Sequence, residues 1–152
     1  MFTNTLMFDA NRTGATVRQL FELGFGEGRL DIARRCIVAG AVDRSDPAAA
    51  GRDLAEHLGQ VITTLHDAMS DLHVQVDDLV VAADRAATRV TISGTPTADH
   101  WFGMSMAGRP LRHESCHFVR CDAFGRVVEM WSSSPVEEML SETYIATAAR
   151  AA

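Results

Sequence analysis

Apolar positions recur at helical spacing through the first half of the chain. Three segments show this period: residues 13–28, 29–42 and 51–71. The third has the clearest stripe, formed by Leu54, Leu58, Val61, Ile62 and Leu65. Thr13 or Thr16 can cap the first helix, and several glycines end it near residue 28. The pattern therefore predicts three helices, preceded by a flexible arm over residues 1–13.

Beyond residue 72 the period changes to the alternation that is typical of strands. Four runs are predicted as strands: residues 72–84, 85–95, 109–121 and 125–133. The last two are joined by "DAFG", a turn sequence that predicts a hairpin. Residues 134–152 can form a final helix, with Ser134 as a cap and Pro135 at its first position. Helices followed by an antiparallel sheet indicate one α+β domain over residues 1–152.

Composition narrows the class of protein. The net charge is −6 and no basic cluster is present, which argues against a nucleic-acid partner. All 14 basic residues are arginine, so a lysine Schiff base is excluded. Cys36, Cys116 and Cys121 have no CxxC spacing, which argues against a disulfide framework or a structural zinc site. We expect Cys116 and Cys121 to be small apolar residues that fill space in the core. The N-terminus does not resemble a signal peptide, and no apolar run is long enough to span a membrane. We expect a cytoplasmic protein without a membrane partner.

The strand over residues 109–121 carries the most conspicuous polar residues. Because strand residues two apart share a face, His113, Ser115 and His117 point to one side of the sheet. The alternation alone does not decide whether that side is inside. The two histidines could begin a metal site, but no third ligand has convincing spacing. We therefore expect no metal here.

Four stretches, in this order, resemble one family. They are "VRQLFELGFGEGRLD", "DLHVQVDDLVVAADRAATRVTISGT", "FGMSMAGRP" and "HFVRCDAFGRVVEMW". The chain resembles the SnoaL-like polyketide cyclases, a branch of the nuclear transport factor 2-like superfamily that includes ketosteroid isomerase. The resemblance covers about residues 16–140. It rests on the order and spacing of the stretches, since no single motif is highly specific.

The resemblance implies a cone-shaped α+β barrel. A strongly curved antiparallel sheet would pack against three N-terminal helices and enclose an apolar pocket. It also implies a homodimer without metal or organic cofactor, and proton-transfer chemistry beside a carbonyl group of a polyketide-like substrate. Fold alone does not determine the reaction.

The resemblance also suggests site residues. His117 matches an inward position used for catalysis or oxyanion binding in relatives, and the alternative is a pocket histidine whose hydrogen bonds are satisfied and which has no chemical role. His113 lies on the same face of the strand, closer to the opening of the implied pocket, and is a weaker candidate. Relatives carry an acid shortly after the tryptophan, but here Ser132 follows Trp131, and Met130 replaces a usual histidine. Serine needs a base of its own to take a proton at neutral pH, so the acid–base group is in doubt.

A second source of acids is the segment after the second predicted helix. Asp43 and Asp46 lie where ketosteroid isomerase-like members place a base, and Arg44 could hold a carboxylate or enolate. Acids beside a proline are more often solvated loop residues. The remaining predicted substrate contacts come from the apolar loop, the first helix and the last two strands: Trp101, Phe102, Met104, Phe21, Ser115, Met130 and Ser132. The loop residues could instead pack on their own domain.

These observations favour a cofactor-independent cyclase or isomerase of antibiotic and other natural-product biosynthesis. His117 would act as acid, base or oxyanion donor. Since the usual acid is replaced by Ser132, ring closure driven mainly by the shape of the pocket is also open. The alternatives are a hydrolase, dehydratase or hydroxylase component on the same fold, and a non-catalytic ligand-binding dimer module.

Overall fold

Three helices pack on one face of a five-stranded sheet. The computed structural model describes residues 8–45, 52–97 and 107–134. The strands are β1 (Ile37–Asp43), β2 (Met69–Ala82), β3 (Arg85–Pro96), β4 (Leu111–Cys121) and β5 (Val127–Ser133). They lie in the order β1-β5-β4-β3-β2, with β1 parallel to β5 and the other neighbours antiparallel. This confirms the predicted α+β class and the four predicted strands.

The first helix begins earlier than the sequence pattern predicted. α1 (Ala10–Arg18) is capped by Asp9, whose carboxylate accepts a hydrogen bond from the Asn11 amide at 2.8 Å. The helix continues through a π-helical segment, Gln19–Phe25, which carries Leu20, Phe21 and Phe25 into the core. The predicted caps Thr13 and Thr16 are therefore inside the helix, and the last residues of the predicted arm are helical. Residues 1–7 of that arm lie outside the described residues.

The second predicted helix is only half correct. α2 (Leu30–Cys36) ends at Cys36, and the chain then continues as β1. The segment "IVAGAV" is apolar and short, so its periodicity does not separate helix from strand. The structure resolves this because β5 offers a free edge, and β1 pairs with it in parallel. The sheet is therefore mixed, and not wholly antiparallel as predicted.

The third helix matches its prediction closely. α3 (Leu54–Ala68) is capped by Asp53, which accepts from the Glu56 amide at 2.9 Å. Its inward stripe is buried against the sheet and α2: Leu54, Leu58, Ile62 and Leu65. Val61 is only partly buried. Within the described parts of the chain, no helix is long and apolar enough to cross a membrane. The predicted helix over residues 134–152 lies almost wholly outside them.

The β4–β5 hairpin forms as predicted and is tied to α1. Asp122 accepts from the Phe124 and Arg126 amides, and Gly125 adopts a φ of +79°. A Cβ at Gly125 would come within 2.8 Å of the Cβ of Arg12, so glycine is required sterically as well as conformationally. The Gly125 carbonyl accepts a hydrogen bond from Thr16 Oγ1. These contacts fix the hairpin, and with it the inner face of β4, against the first helix.

The cysteines divide between the two sides of the sheet. Cys36 and Cys121 are buried in the core, where burial raises the pKa of each thiol to about 11. They are the small apolar fillers expected of Cys121. Cys116 was expected in the same role, but it lies exposed on the outer face of β4, beside Phe118. That expectation is wrong, because the alternation of β4 places even-numbered residues outward.

Candidate functional site

The inner face of β4 carries His117. Residues Ser115, His117, Val119 and Cys121 of this strand are buried, whereas the residues between them face outward. His117 is 8% exposed and Ser115 is 3% exposed. The face shared by the two histidines is therefore the inner one, which the alternation alone could not decide. His113 is nearer the strand's start, only partly buried, and its Nε2 lies 2.5 Å from the Ser134 carbonyl oxygen.

Both ring nitrogens of His117 are hydrogen-bonded to serine hydroxyls. Nε2 lies 2.8 Å from Ser115 Oγ on the same strand, and Nδ1 lies 2.8 Å from Ser132 Oγ on β5. Ser132 is directly opposite His117 in the β4–β5 register. Ser132 stands where the family pattern predicts an acid, and a serine there needs a neighbouring base to exchange protons. His117 is in the position to be that base.

Phe21 covers one face of the imidazole ring. The two ring centroids are 4.6 Å apart and the planes are inclined by 38°. Phe21 is 1% exposed and also stacks on Phe25, four residues later in the same π-helical segment. Phe21 belongs to the π-helical segment Gln19–Phe25, and π-helical turns are frequent at functional sites. The apolar ring excludes water from that side of His117.

The end of β1 holds Ser132 in place. The Ser132 amide donates to Ser45 Oγ at 2.9 Å, and the Arg44 amide donates to the Met130 carbonyl at 2.8 Å. Met130 itself is 1% exposed and belongs to the core. The backbone around Ser132 is thus anchored from both sides, by β4 and by β1.

Asp43 is a buried carboxylate with several partners. It accepts from the Ser45 amide at 2.9 Å and pairs with the Arg52 guanidinium at 2.5 Å. His57 Nε2 lies 3.9 Å from the same Oδ2. Burial opposes ionisation, but the hydrogen bonds from Ser45 and Arg52 outweigh it and lower the pKa of Asp43. Asp43 is therefore ionised at neutral pH and engaged in an ion pair.

Arg44 is engaged in an ion pair with β5. Its guanidinium pairs with Glu129 at 3.2 Å, and Arg120 binds the other oxygen of the same carboxylate. The hydrogen bond from Arg120 and the pair with Arg44 lower the pKa of Glu129 against the effect of burial. This cluster belongs to the outer face of β5.

The predicted site residues thus fall into three groups. One is assembled around the imidazole: His117, Ser115, Ser132 and Phe21. A second is placed elsewhere: Asp43 and Arg44 at the end of β1, Met130 in the core, and His113 near the start of β4. The third lies outside the described residues: Asp46, Trp101, Phe102 and Met104. Among the described residues, no group of three His, Cys, Asp or Glu side chains could hold a metal ion.

Ser45 and Arg52 were not singled out from the sequence. Ser45 lies 87 residues before Ser132 in the chain, and Arg52 pairs with an acid nine residues earlier. No local signal in the sequence indicates either contact. A serine two residues after an aspartate does suggest a side-chain-to-amide turn, which is the one part of this arrangement that was accessible.

The fold and site together define an α+β domain with a polar, histidine-centred cluster on the inner face of its sheet. The family model for the SnoaL-like polyketide cyclases matches residues 15–140, and the chain belongs to that family. No curated protein matches the chain. The resemblance proposed from the sequence is confirmed.

Three solved structures show the similarity in detail. IdmH from Streptomyces antibioticus, provisionally assigned as a polyketide cyclase, is 27% identical with a TM-score of 0.70, covering 86% of this chain and 97% of its own. TsrD from Streptomyces laurentii is 23% identical with a TM-score of 0.66, covering 82% and 92%. AclR from Streptomyces galilaeus, provisionally assigned as a hydroxylase, is 17% identical with a TM-score of 0.69, covering 88% and 83%. At these identities the last two support the fold alone.

Proposed function

We propose that the protein is a cofactor-independent cyclase or isomerase that acts on a polyketide-derived intermediate of natural-product biosynthesis. One observation carries the proposal: His117 is buried on the inner face of the sheet with each ring nitrogen bound to a hydroxyl. Membership of the polyketide cyclase family and the likeness to IdmH support the substrate class.

In this proposal His117 supplies the acid–base function. A neutral imidazole can accept one proton and donate another near neutral pH, which suits the formation and quenching of an enolate beside a carbonyl. Because Phe21 shields the ring from water, each hydrogen bond to a developing charge is strengthened. Trp101, Phe102 and Met104 stay as predicted contacts of the apolar substrate. Asp43 is a weaker candidate base, since its charge is already paired with Arg52.

The experiment combines genetics with chemistry. The gene is deleted in its native host, the accumulating compound is identified by mass spectrometry, and purified protein is added to that compound. Conversion to an isomer of equal mass is expected. His117→Asn should abolish conversion while the compound still binds, as measured by calorimetry.

Other outcomes separate the alternatives. A gain or loss of water would indicate a hydrolase or dehydratase, and a gain of one oxygen would indicate a hydroxylase component. Binding without conversion by the folded wild-type protein would contradict the enzymatic proposal and favour a ligand-binding module.

We also propose a cytoplasmic homodimer formed through the outer face of the sheet. Phe118 and Val80 are 56% and 68% exposed there, which is unusual for large apolar side chains on a strand surface. Light scattering should give twice the chain mass. Phe118→Asp should give a monomer, whereas Phe124→Asp, at an exposed phenylalanine on the hairpin turn, should not.

A further inference from the structure

We propose that Ser132 is the residue that touches the substrate, and that His117 exchanges its proton with the substrate through the Ser132 hydroxyl. This inference rests on the proposed function, because it specifies how the proton reaches the reacting atoms.

Access to the imidazole favours this route. Both nitrogens of His117 already have a serine partner at 2.8 Å, and Phe21 covers one ring face. A substrate atom reaches a nitrogen directly only by displacing one of the serines. Of the two, Ser115 is 3% exposed, whereas Ser132 is partly exposed. Ser132 is therefore the member of the cluster that a ligand can meet.

The chemistry of the partners favours proton exchange over a purely structural role. A hydroxyl both donates and accepts hydrogen bonds, whereas a backbone carbonyl only accepts and a backbone N–H only donates. When His117 is neutral, one serine donates to the bare nitrogen and the other accepts from the N–H. When His117 is protonated, both serine oxygens accept. The cluster can thus hold either protonation state without leaving a buried nitrogen unpaired, which would otherwise cost about 1–3 kcal/mol.

The exchange balances without another reactant. A C–H bond beside the substrate carbonyl breaks, its proton moves to Ser132 Oγ, and the proton of Ser132 moves to His117 Nδ1. The electron pair of the C–H bond becomes the enolate, and His117 becomes an imidazolium. After bond reorganisation in the substrate, the Nδ1 proton returns through Ser132 to the substrate oxygen or carbon. The product is an isomer of the substrate.

Two residues of the β1 end act as positioning residues for Ser132. Ser45 accepts from the Ser132 amide, and the Ser45 amide in turn donates to the Asp43 carboxylate. Arg52 holds that carboxylate in place. The ion pair therefore orients the hydroxyl-bearing end of β5 through one intervening serine, Ser45.

The test compares Ser132→Ala with Ser133→Ala, using the compound that accumulates in the deletion strain. Ser133 is the next residue and is exposed, with its side chain directed away from His117 by the strand alternation. Ser132→Ala should lower kcat about 100-fold with little change in KM, the lower end of the usual effect of acid–base groups. Ser133→Ala should match the wild type. Ser132→Thr keeps a hydroxyl and should recover most of the rate.

The pH profile supplies a readout that a structural role would not move. The wild type should lose kcat at low pH as His117 becomes protonated, and the residual rate of Ser132→Ala should lack that limb. Wild-type turnover with an unchanged kcat in Ser132→Ala would overturn the inference and leave the proposed function standing. Absence of turnover by folded wild-type protein would overturn both.

Discussion

His117 Nδ1 and Ser132 Oγ lie 2.8 Å apart across the β4–β5 register, although the two residues are 15 positions apart in the chain. The hairpin that joins β4 and β5 sets the strand register, and the register places these two atoms within hydrogen-bond distance. A change of register by one residue would turn Ser132 to the outer face, because strand side chains alternate. The contact therefore depends on the "DAFG" turn as much as on the two side chains.

Removing the second partner of His117 should weaken the fold. Ser115→Ala removes the buried hydrogen bond between Ser115 Oγ and His117 Nε2, and the free energy of unfolding should fall by about 1–3 kcal/mol. Urea denaturation measures it. Ser133→Ala, at an exposed serine, should change the stability by less than about 0.5 kcal/mol. Equal stabilities for the two variants would mean that the Ser115–His117 hydrogen bond is not formed.

The Phe21 ring, which covers His117, should contribute far more to the stability of the fold than an exposed phenylalanine ring. Phe21→Ala removes a side chain that is 1% exposed, so the unfolding free energy should fall by about 3–5 kcal/mol. Phe124→Ala removes one that is 70% exposed and should be nearly neutral. Thermal and urea unfolding measure the free energy of unfolding of the two variants. A small effect of Phe21→Ala would show that this segment does not pack as described.

The Asp43–Arg52 pair should make stability depend on pH. The folded pKa of Asp43 is lowered, so its contribution is fully present above the unfolded value of about 3.9 and is lost as the pH falls through the folded value. Asp43→Asn should therefore be less stable than wild type by about 1–3 kcal/mol at pH 7, with the difference shrinking in acid.

Urea titrations at pH 7, 5 and 3 check this expectation. Asp67→Asn, at an exposed position of α3, is the matched control and should show little difference at any pH. A destabilisation by Asp43→Asn that stayed constant down to pH 3 would contradict the lowered pKa.

The three thiols should differ in reactivity. Cys36 and Cys121 are buried, with each pKa raised to about 11, so they should react with a thiol reagent only after unfolding. Cys116 is exposed and should react first. In Cys116→Ser the folded protein should show almost no reaction. Rapid labelling of that variant under native conditions would contradict the described core.

Cys116 also reports on the outer face of the sheet. If a second copy covers that face, Cys116 should react faster in the Phe118→Asp variant than in the wild type. Equal rates, together with a dimer mass for both proteins, would place the dimer interface elsewhere.

Local pattern was enough to predict most of the regular elements. α3 and the four later strands follow from apolar spacing, because each period matches the geometry of one element. The hairpin follows from turn residues with their own conformational preferences. The choice of His117 also came from the chain itself, through its alternation with Ser115 and its place in a family pattern.

Tertiary structure decided what local pattern left open. "IVAGAV" is compatible with helix or strand, and only the free edge of β5 makes it a strand. Ser45 reaches Ser132 because that parallel pairing exists, and Asp43 is ionised and paired because the same segment ends beside Arg52.

The amino-acid sequence by itself determined the α+β class, the three helices, the four later strands and the identity of the central histidine, since each of these elements depends on residues close together in the chain. The tertiary structure decided which face of β4 is buried and which hydroxyls bind the imidazole. Those properties arise from pairing between segments that are distant in the chain. The free energy of that pairing depends on both segments, so neither segment determines it alone.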